Sequence, residues 1–362
     1  MRINGHSHLL PYPKQIPSFM KDNEIFWIDD DRKHMLQKNW KRPITDSSFF
    51  LDEKLEWMDR NNIDHAVVLN LSQLYGNGLR VEAMKKVLRF QNDFNAEVQR
   101  DHPEKFTCGF VVHAGFVKSA IWEMERCVNE LGLRVLCLPT HFMDSVGTWR
   151  TIFDQDIEPI LAAANDLNLA IEIHPYDGEK FIKLQNTTWR FHLIWMLAQC
   201  ADAYHFYTLK GYALKYPNIR VCFAHGGQLA QMNLGRRIQG FDGRPDLFEG
   251  MVHPRKSVGH PNIFFDTLVH DTDSLELMVR RQGTDQIIMG LDDPYPLGEM
   301  ESEPQSSYPG KLLDLAKERN IINDTQYEEI WCENVLKWLS GNDDTALRER
   351  LKITKNNQKI DS

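Results

Sequence analysis

The sequence predicts a closed (β/α)8 barrel, and three observations carry that prediction. Eight apolar, strand-like runs alternate with helix-like stretches, the pattern of parallel strands joined by helical crossovers. Four of those runs end in histidine or aspartate, and a barrel builds its site from the C-terminal ends of its strands. The first strand–helix turn carries no glycine-rich phosphate loop, which an open, doubly wound dinucleotide-binding sheet would need.

The first run is Met1-Arg2-Ile3-Asn4-Gly5-His6-Ser7-His8. Side chains two apart in a strand share a face, so His6 and His8 present two imidazoles to one point. Residues 9–50 then break the alternation with Pro11, Pro13 and Pro17, the acidic Asp29-Asp30-Asp31, and Lys38-Asn39-Trp40-Lys41-Arg42-Pro43. That span is too long for an ordinary loop and reads as a small subdomain overhanging the strand end. A helix is expected near Asp52–Met58, and further strands at 64–70, 105–112, 133–139, 168–174, 219–225, 262–267 and 286–291. Helical spacing is clear in Val81, Met84, Val87 and Leu88, in Ile121, Met124, Val128 and Leu131, and in Ile157, Ile160, Leu161 and Leu167. Residues 300–340 read as terminal helices packing on the outside. Residues 1–340 are thus one barrel domain with an insertion, and 341–362 a mobile polar tail.

The 362 residues are 42% hydrophobic and 26% charged, ample for a large core, with a formal charge of −9. No basic block marks a nucleic-acid surface. No signal peptide or run of about 18 apolar residues is present, which points to a cytoplasmic protein without a membrane span. Six scattered cysteines with no Cys-x-x-Cys spacing read as buried small hydrophobes.

His6, His8, His174 and Asp292 form a nitrogen-rich ligand set for one divalent metal, with a position left open for water. Zinc is the default for such a set; manganese or cobalt would also fit. His225 is either a fifth ligand or a base beside the site. A bound divalent ion brings its water toward a pKa of about 7, within reach of an imidazole, so the second role is adopted, with Asp292 beside it. Arginine matches carboxylates bidentately, so Arg42 or Arg236 at the site mouth would select an acidic substrate.

His6-Ser7-His8, His174-Pro175, His225-Gly226-Gly227 and the run Met289-Gly290-Leu291-Asp292-Asp293-Pro294-Tyr295-Pro296-Leu297-Gly298-Glu299 resemble the metal-dependent decarboxylase branch of the amidohydrolase superfamily. The resemblance spans about residues 1–340. It implies a zinc site at His6, His8, His174 and Asp292, a general acid/base at His225, and a substrate-carboxylate arginine at Arg42, with Lys38 and the pocket residue Tyr176 near the substrate. It also implies a homodimer in which Arg236 reaches the partner's site, and no organic cofactor. The activity implied is non-oxidative decarboxylation of an unsaturated or aromatic carboxylic acid, as in tryptophan (kynurenine) or aromatic-acid breakdown. The chain departs from the family at Asn4, where an acid is usual, at Asp293, which replaces an aromatic, and at Tyr176, which replaces a tryptophan. A hydrolase or hydratase of the same superfamily, acting on an amide, lactone or unsaturated acid, is the alternative. A non-catalytic metal-binding barrel is disfavoured by the open ligand position. No lysine stands in the fourth strand run, 133–139, where two-metal relatives need one, so a single metal is expected.

Overall fold

The computed structural model describes residues 1–154, 156–175, 187–303 and 306–353. Strand β1 (Ile3–Ser7) precedes a small antiparallel sheet of β2 (Trp27–Ile28), β3 (His34–Gln37) and β4 (Trp40–Pro43). Then come β5 (His65–Val68), β6 (Phe106–Val111), β7 (Val135–Pro139), the hairpin of β8 (His141–Met143) and β9 (Trp149–Thr151), and β10 (Ala170–His174), β11 (Arg220–Phe223), β12 (Ile263–Asp266) and β13 (Ile287–Ile288). Eight of these form one sheet in the order β1-β5-β6-β7-β10-β11-β12-β13, with every adjacent pair parallel. All eight fall inside the runs expected from sequence.

The sheet closes on itself past the short β13. Gly5 N donates to Met289 O (2.7 Å), Asp292 N to His6 O (2.8 Å) and His8 N to Asp293 O (2.8 Å). Glycine is required at position 5, because a Cβ there would lie 2.8 Å from the Met289 carbonyl oxygen. These bonds join the two strand ends that carry His6, His8 and Asp292, so closing the barrel and assembling the cluster are one event.

Helices α1 (Ser18–Asp22) and α2 (Leu51–Arg60) flank the small sheet. The barrel is then wrapped by α3 (Val81–Asp101), α4 (Val117–Asn129), α5 (Glu158–Asp166), α6 (Met196–Leu209), α7 (Tyr212–Lys215), α8 (Gln228–Met232), α9 (Leu234–Gly243) and α10 (Thr272–Gln282). Strand residues alternate between two cores: Val68, Phe110, Leu136, Ile171 and Phe265 face the helices, while Val67, Val135, Ala170, Cys222 and Ile288 fill the interior. All six cysteines are buried and unbonded to one another.

Two expectations for the C-terminal region change. After α11 (Lys311–Glu318) and α12 (Asp324–Glu328), helix α13 (Asn334–Ser340) does not simply lie outside the barrel. Its Val335, Leu336 and Trp338 join Ile3, Val67, Val135 and Ala170 in one buried cluster that plugs the N-terminal mouth, whose apolar ring would otherwise face water. Arg220, the first residue of β11, fixes the plug by donating to the carbonyls of Trp338 (2.7 Å) and Leu339 (3.2 Å). Nor are residues 341–353 a tail: they include α14 (Thr345–Arg350) and the buried Leu351, and Arg350 bonds Thr107 on β6. Residues 354–362 lie outside the described residues. Among the described residues, no helix is long and apolar enough to cross a membrane.

Residues 9–50 have a small core of their own, Leu10, Met20, Phe26, Ile28, Met35 and Phe49, continuous with Leu74 and Tyr295. That continuity carries β4, and with it Arg42, to the C-terminal mouth of the barrel.

His65 on β5 is buried, with Nδ1 bonded to Glu104 O (2.9 Å) and Nε2 to Thr107 Oγ1 (2.9 Å). Burial pushes its pKa down from 6.5 to about 3. Between those values the unfolded chain holds a proton that the folded chain refuses, so stability is lost as pH falls through this window, by about 1.4 kcal/mol per pH unit. The loss in unfolding free energy from pH 7 to pH 5, measured by urea titration, is expected to be smaller in His65→Gln than in the parent. Equal losses would rule His65 out as a source of acid lability.

Candidate metal centre

Each cluster residue sits at the C-terminal end of a barrel strand: His6 and His8 at β1, His174 closing β10, His225 just after β11, and Asp292 after β13. His6, His174, His225 and Asp292 each bring one ligand-type atom into a group whose members all lie within 4.8 Å of one another. His8 joins them through its Nε2, 3.2 Å from His6 Nε2 and 3.1 Å from Asp292 Oδ1. His225 Nε2 stands 3.8 Å from Asp292 Oδ2. The fold thus brings together all five residues expected from sequence, and it places His225 as close to the cluster centre as a ligand would be.

The far ring nitrogens orient the near ones. His6 Nδ1 meets Asp266 Oδ2 (2.8 Å), His8 Nδ1 meets Leu69 O (3.2 Å), and His174 Nδ1 meets Pro175 O (2.7 Å). A proton held at Nδ1 by these acceptors leaves an Nε2 lone pair aimed inward, the arrangement a metal needs. The Nε2 atoms of His174 and His225 are buried without any hydrogen-bond partner. Orphaned imidazole nitrogens beside a carboxylate are costly unless something binds there, so the residues fit a divalent cation.

The electrostatics agree. Burial alone would raise the Asp292 carboxyl, but its close polar contact with His8 and the fields of His6 and His8 hold it well below the usual carboxylate range. Burial would also lower His6, but the Asp266 hydrogen bond, with the Asp292 and Asp266 charges, outweighs it and takes His6 up to about 9. Burial pushes His174 well down and His225 to about 4. A cation must therefore displace a proton from His6 but none from His174 or His225.

Arg42 lines the same pocket, together with Ser72, Gln73, His192, His270 and Tyr295. Its guanidinium lies 4.7 Å from the Tyr295 ring centre, and that ring in turn meets His8 edge-on at 5.0 Å. Leu193, Met196, Leu197, Leu268 and Leu297 make the remaining wall apolar. Lys38 lies at the β3–β4 turn and lines a neighbouring cavity with Trp40 and Leu79. Arg236, on α9, is exposed and is not among the residues lining its own chain's pocket. Tyr176 lies outside the described residues.

Several participants are not evident from sequence. Asp266 is the last residue of β12 and accepts from the backbone N–H groups of His225 (3.0 Å) and Gly226 (2.7 Å) as well as binding His6. A signal for it exists, a single acid ending Ile263-Phe264-Phe265-Asp266, the same pattern that singles out Asp292. Glu172, two residues before His174, is buried with both oxygens unpartnered, and burial raises its pKa to about 8. Two of the three positions at which the resemblance is broken, Asn4 and Asp293, touch: the Asn4 amide donates to Asp293 Oδ1.

Comparison with known proteins fits this architecture. A family model described as amidohydrolase matches residues 3–317. The 2-amino-3-carboxymuconate-6-semialdehyde decarboxylase of Dictyostelium discoideum is 27% identical over 349 residues, covering 94% of this chain and 91% of that protein. The protein of the same name from Caenorhabditis elegans is 25% identical over 354 residues, covering 83% and 87%. Among solved structures, a dihydroxybenzoic acid decarboxylase from Polaromonas with bound manganese and the inhibitor 2-nitroresorcinol superposes with a TM-score of 0.68 at 16% identity, covering 93% of this chain and 96% of that one; at that identity the likeness shows the fold. With a match over most of its length and the strand-end cluster in place, this chain belongs to the amidohydrolase family.

Proposed function

We propose that this protein is a metal-dependent, non-oxidative decarboxylase acting on 2-amino-3-carboxymuconate 6-semialdehyde or a close unsaturated or aromatic carboxylic acid. The observation that carries the reading is the convergence of His6, His174, His225 and Asp292, the last three of which line a pocket together with Arg42. The names of the two curated relatives supply the substrate class. Zinc is the metal proposed, one per chain, held by His6, His8, His174 and Asp292. When bound it supplies Lewis acidity toward a substrate oxygen.

The chain's own residues do the rest. Arg42 donates two hydrogen bonds to a substrate carboxylate, pre-oriented by its stacking on Tyr295. The leucine-rich wall excludes water and suits a flat conjugated skeleton. As the bond to the carboxyl carbon breaks, its electron pair passes into the conjugated carbonyl and CO2 leaves. His225, neutral because it is buried, takes a proton at Nε2 from the solvent side and returns it to the carbon that lost the carboxyl group.

The assembly proposed is a homodimer in which Arg236 serves the partner's pocket, in the cytoplasm and in tryptophan breakdown. Support comes from Arg236 lying exposed on α9 and from apolar side chains that are themselves exposed: Met232 is 67% exposed on the preceding helix, and Leu193, which lines the pocket, and Ile194 are 46% and 57% exposed. Removing one bidentate carboxylate contact weakens binding by about 1.5–3 kcal/mol, or roughly 10- to 150-fold. Arg236→Ala is therefore expected to raise KM by that factor, and mixing it with His225→Ala to restore part of the activity, because a mixed dimer regains one intact site. No recovery despite proven subunit exchange would remove the shared site.

The reading as a whole is tested by following the ultraviolet absorbance of 2-amino-3-carboxymuconate 6-semialdehyde with metal-analysed protein. One CO2 per substrate consumed is expected, with turnover abolished by chelation and restored by zinc. Product carrying added water, with no CO2, would instead identify a hydratase or hydrolase.

A further inference from the structure

Behind the metal ligands, on the outer side of the barrel wall, lies a charged pair that the proposed reaction does not use. Lys54, in the first turn of α2, and Asp293, next to Asp292, are both fully buried, and the ammonium donates to Asp293 Oδ2 and to Ser7 Oγ (3.2 Å). Taking two ions out of water costs several kcal/mol per ion, which is recovered only when geometry and further hydrogen bonds are good. Here they are: Ser7 Oγ donates to Asp293 Oδ2 at 2.9 Å, and the Asn4 amide covers Oδ1.

The strand geometry shows why the pair sits there. Between Asn4 and Ser7, β1 advances three residues while β5 advances two, from Ala66 to Val68. This bulge inserts one residue and reverses the facing of the residues beyond it. Asn4 and Ser7 can then both face Lys54 and Asp293, while His6 and His8 face the barrel interior. The Asn4 side-chain oxygen accepts from His6 N (3.1 Å) and Leu291 N (3.0 Å), so one side chain ties the backbone at the first ligand to the backbone before Asp292. Asp293 in turn accepts from His8 N through its own carbonyl (2.8 Å). The His6–His8 backbone and the Asp292 backbone are thus tied together on this side through Asn4, Ser7, Asp293 and Lys54.

We propose that Lys54, Asp293, Asn4 and Ser7 form a positioning clamp that sets the reach of His6, His8 and Asp292, so that metal affinity is determined from outside the barrel. Within the clamp the buried carboxylate that faces Lys54 is carried by residue 293 and the amide that covers it by residue 4. The inference rests on the pocket being a metal centre, and the test separates the two.

Apo-protein is loaded with Co2+, and affinity is measured by competition with a chelator while the visible absorption of the bound cobalt reports ligand geometry. Asp293→Asn is expected to weaken cobalt binding about 10- to 100-fold, the usual cost of losing an outer partner of metal ligands, and to shift the absorption bands. Lys54→Met is expected to lose at least as much, because it leaves a buried carboxylate unpaired beside Asp292, whereas Lys54→Arg keeps both affinity and spectrum. The exchange Asn4→Asp with Asp293→Asn returns a carboxylate to the same network and is expected to recover most of the affinity lost by Asp293→Asn alone. Ser7→Ala, which removes one bond and leaves both charges, covers the case in which the charge variants do not fold; a loss of several-fold in cobalt affinity is expected. Variants that are merely less heat-stable, with parental cobalt affinity and spectrum, overturn the clamp. A parent protein that binds no cobalt overturns the metal centre itself.

Discussion

His6→Ala and His174→Ala are each expected to lose most of their bound metal and to slow turnover on the order of 10³-fold, the several kcal/mol that a Lewis acid contributes to a charged transition state. The two should differ in stability. His174 spends its second nitrogen on a backbone carbonyl, that of Pro175, whereas His6 spends it on the buried Asp266 carboxylate. Losing His6 leaves the Asp266 carboxylate short of its imidazole partner, worth about 1–3 kcal/mol for a charged group, so His6→Ala is expected to melt at the lower temperature. Metal analysis and thermal unfolding of both variants check this. Full metal occupancy in either one would contradict the proposed ligand set.

His225→Ala is expected to part company with them, keeping its metal while turnover falls about 10²- to 10⁴-fold, as for loss of a positioned proton carrier. The geometry makes this a sharp question, because His225 Nε2 lies in the tight four-atom group and His8 is attached to it through His6 and Asp292. His8→Ala is the paired measurement. If His8→Ala empties the site and His225→Ala does not, the assignment from the family resemblance stands. The opposite result would make His225 a ligand and move proton transfer to another group in the pocket, where His192 and His270 are the further imidazoles.

Strand runs such as Val221-Cys222-Phe223-Ala224-His225 announce both their burial and the site residue at their end, because a parallel barrel strand is largely apolar until it reaches the mouth. The terminal helices are harder to place. Trp331, Val335 and Leu336 have helical spacing, but spacing gives a face and not a destination, and only the open N-terminal ring of the barrel explains why α13 is drawn under it. Residues 341–353 resemble a tail for a similar reason: Leu347, Leu351 and Ile353 are too few to declare a helix among charges, yet enough to dock one against a preformed surface.

The sequence alone determined the barrel, its eight strands and the identity of the five residues at their ends, since period, composition and strand-end position are local properties. Only the tertiary structure decided how those residues are held. Asp266 becomes a partner of His6 across 260 residues of chain, and Lys54, Asn4, Ser7 and Asp293 become one buried network, because barrel closure brings β1 against the segment after β13. A buried charge is tolerated only beside a partner, and which partner stands beside it depends on strand register, on one inserted residue in β1 and on the packing of α2, none of which any single stretch of sequence contains.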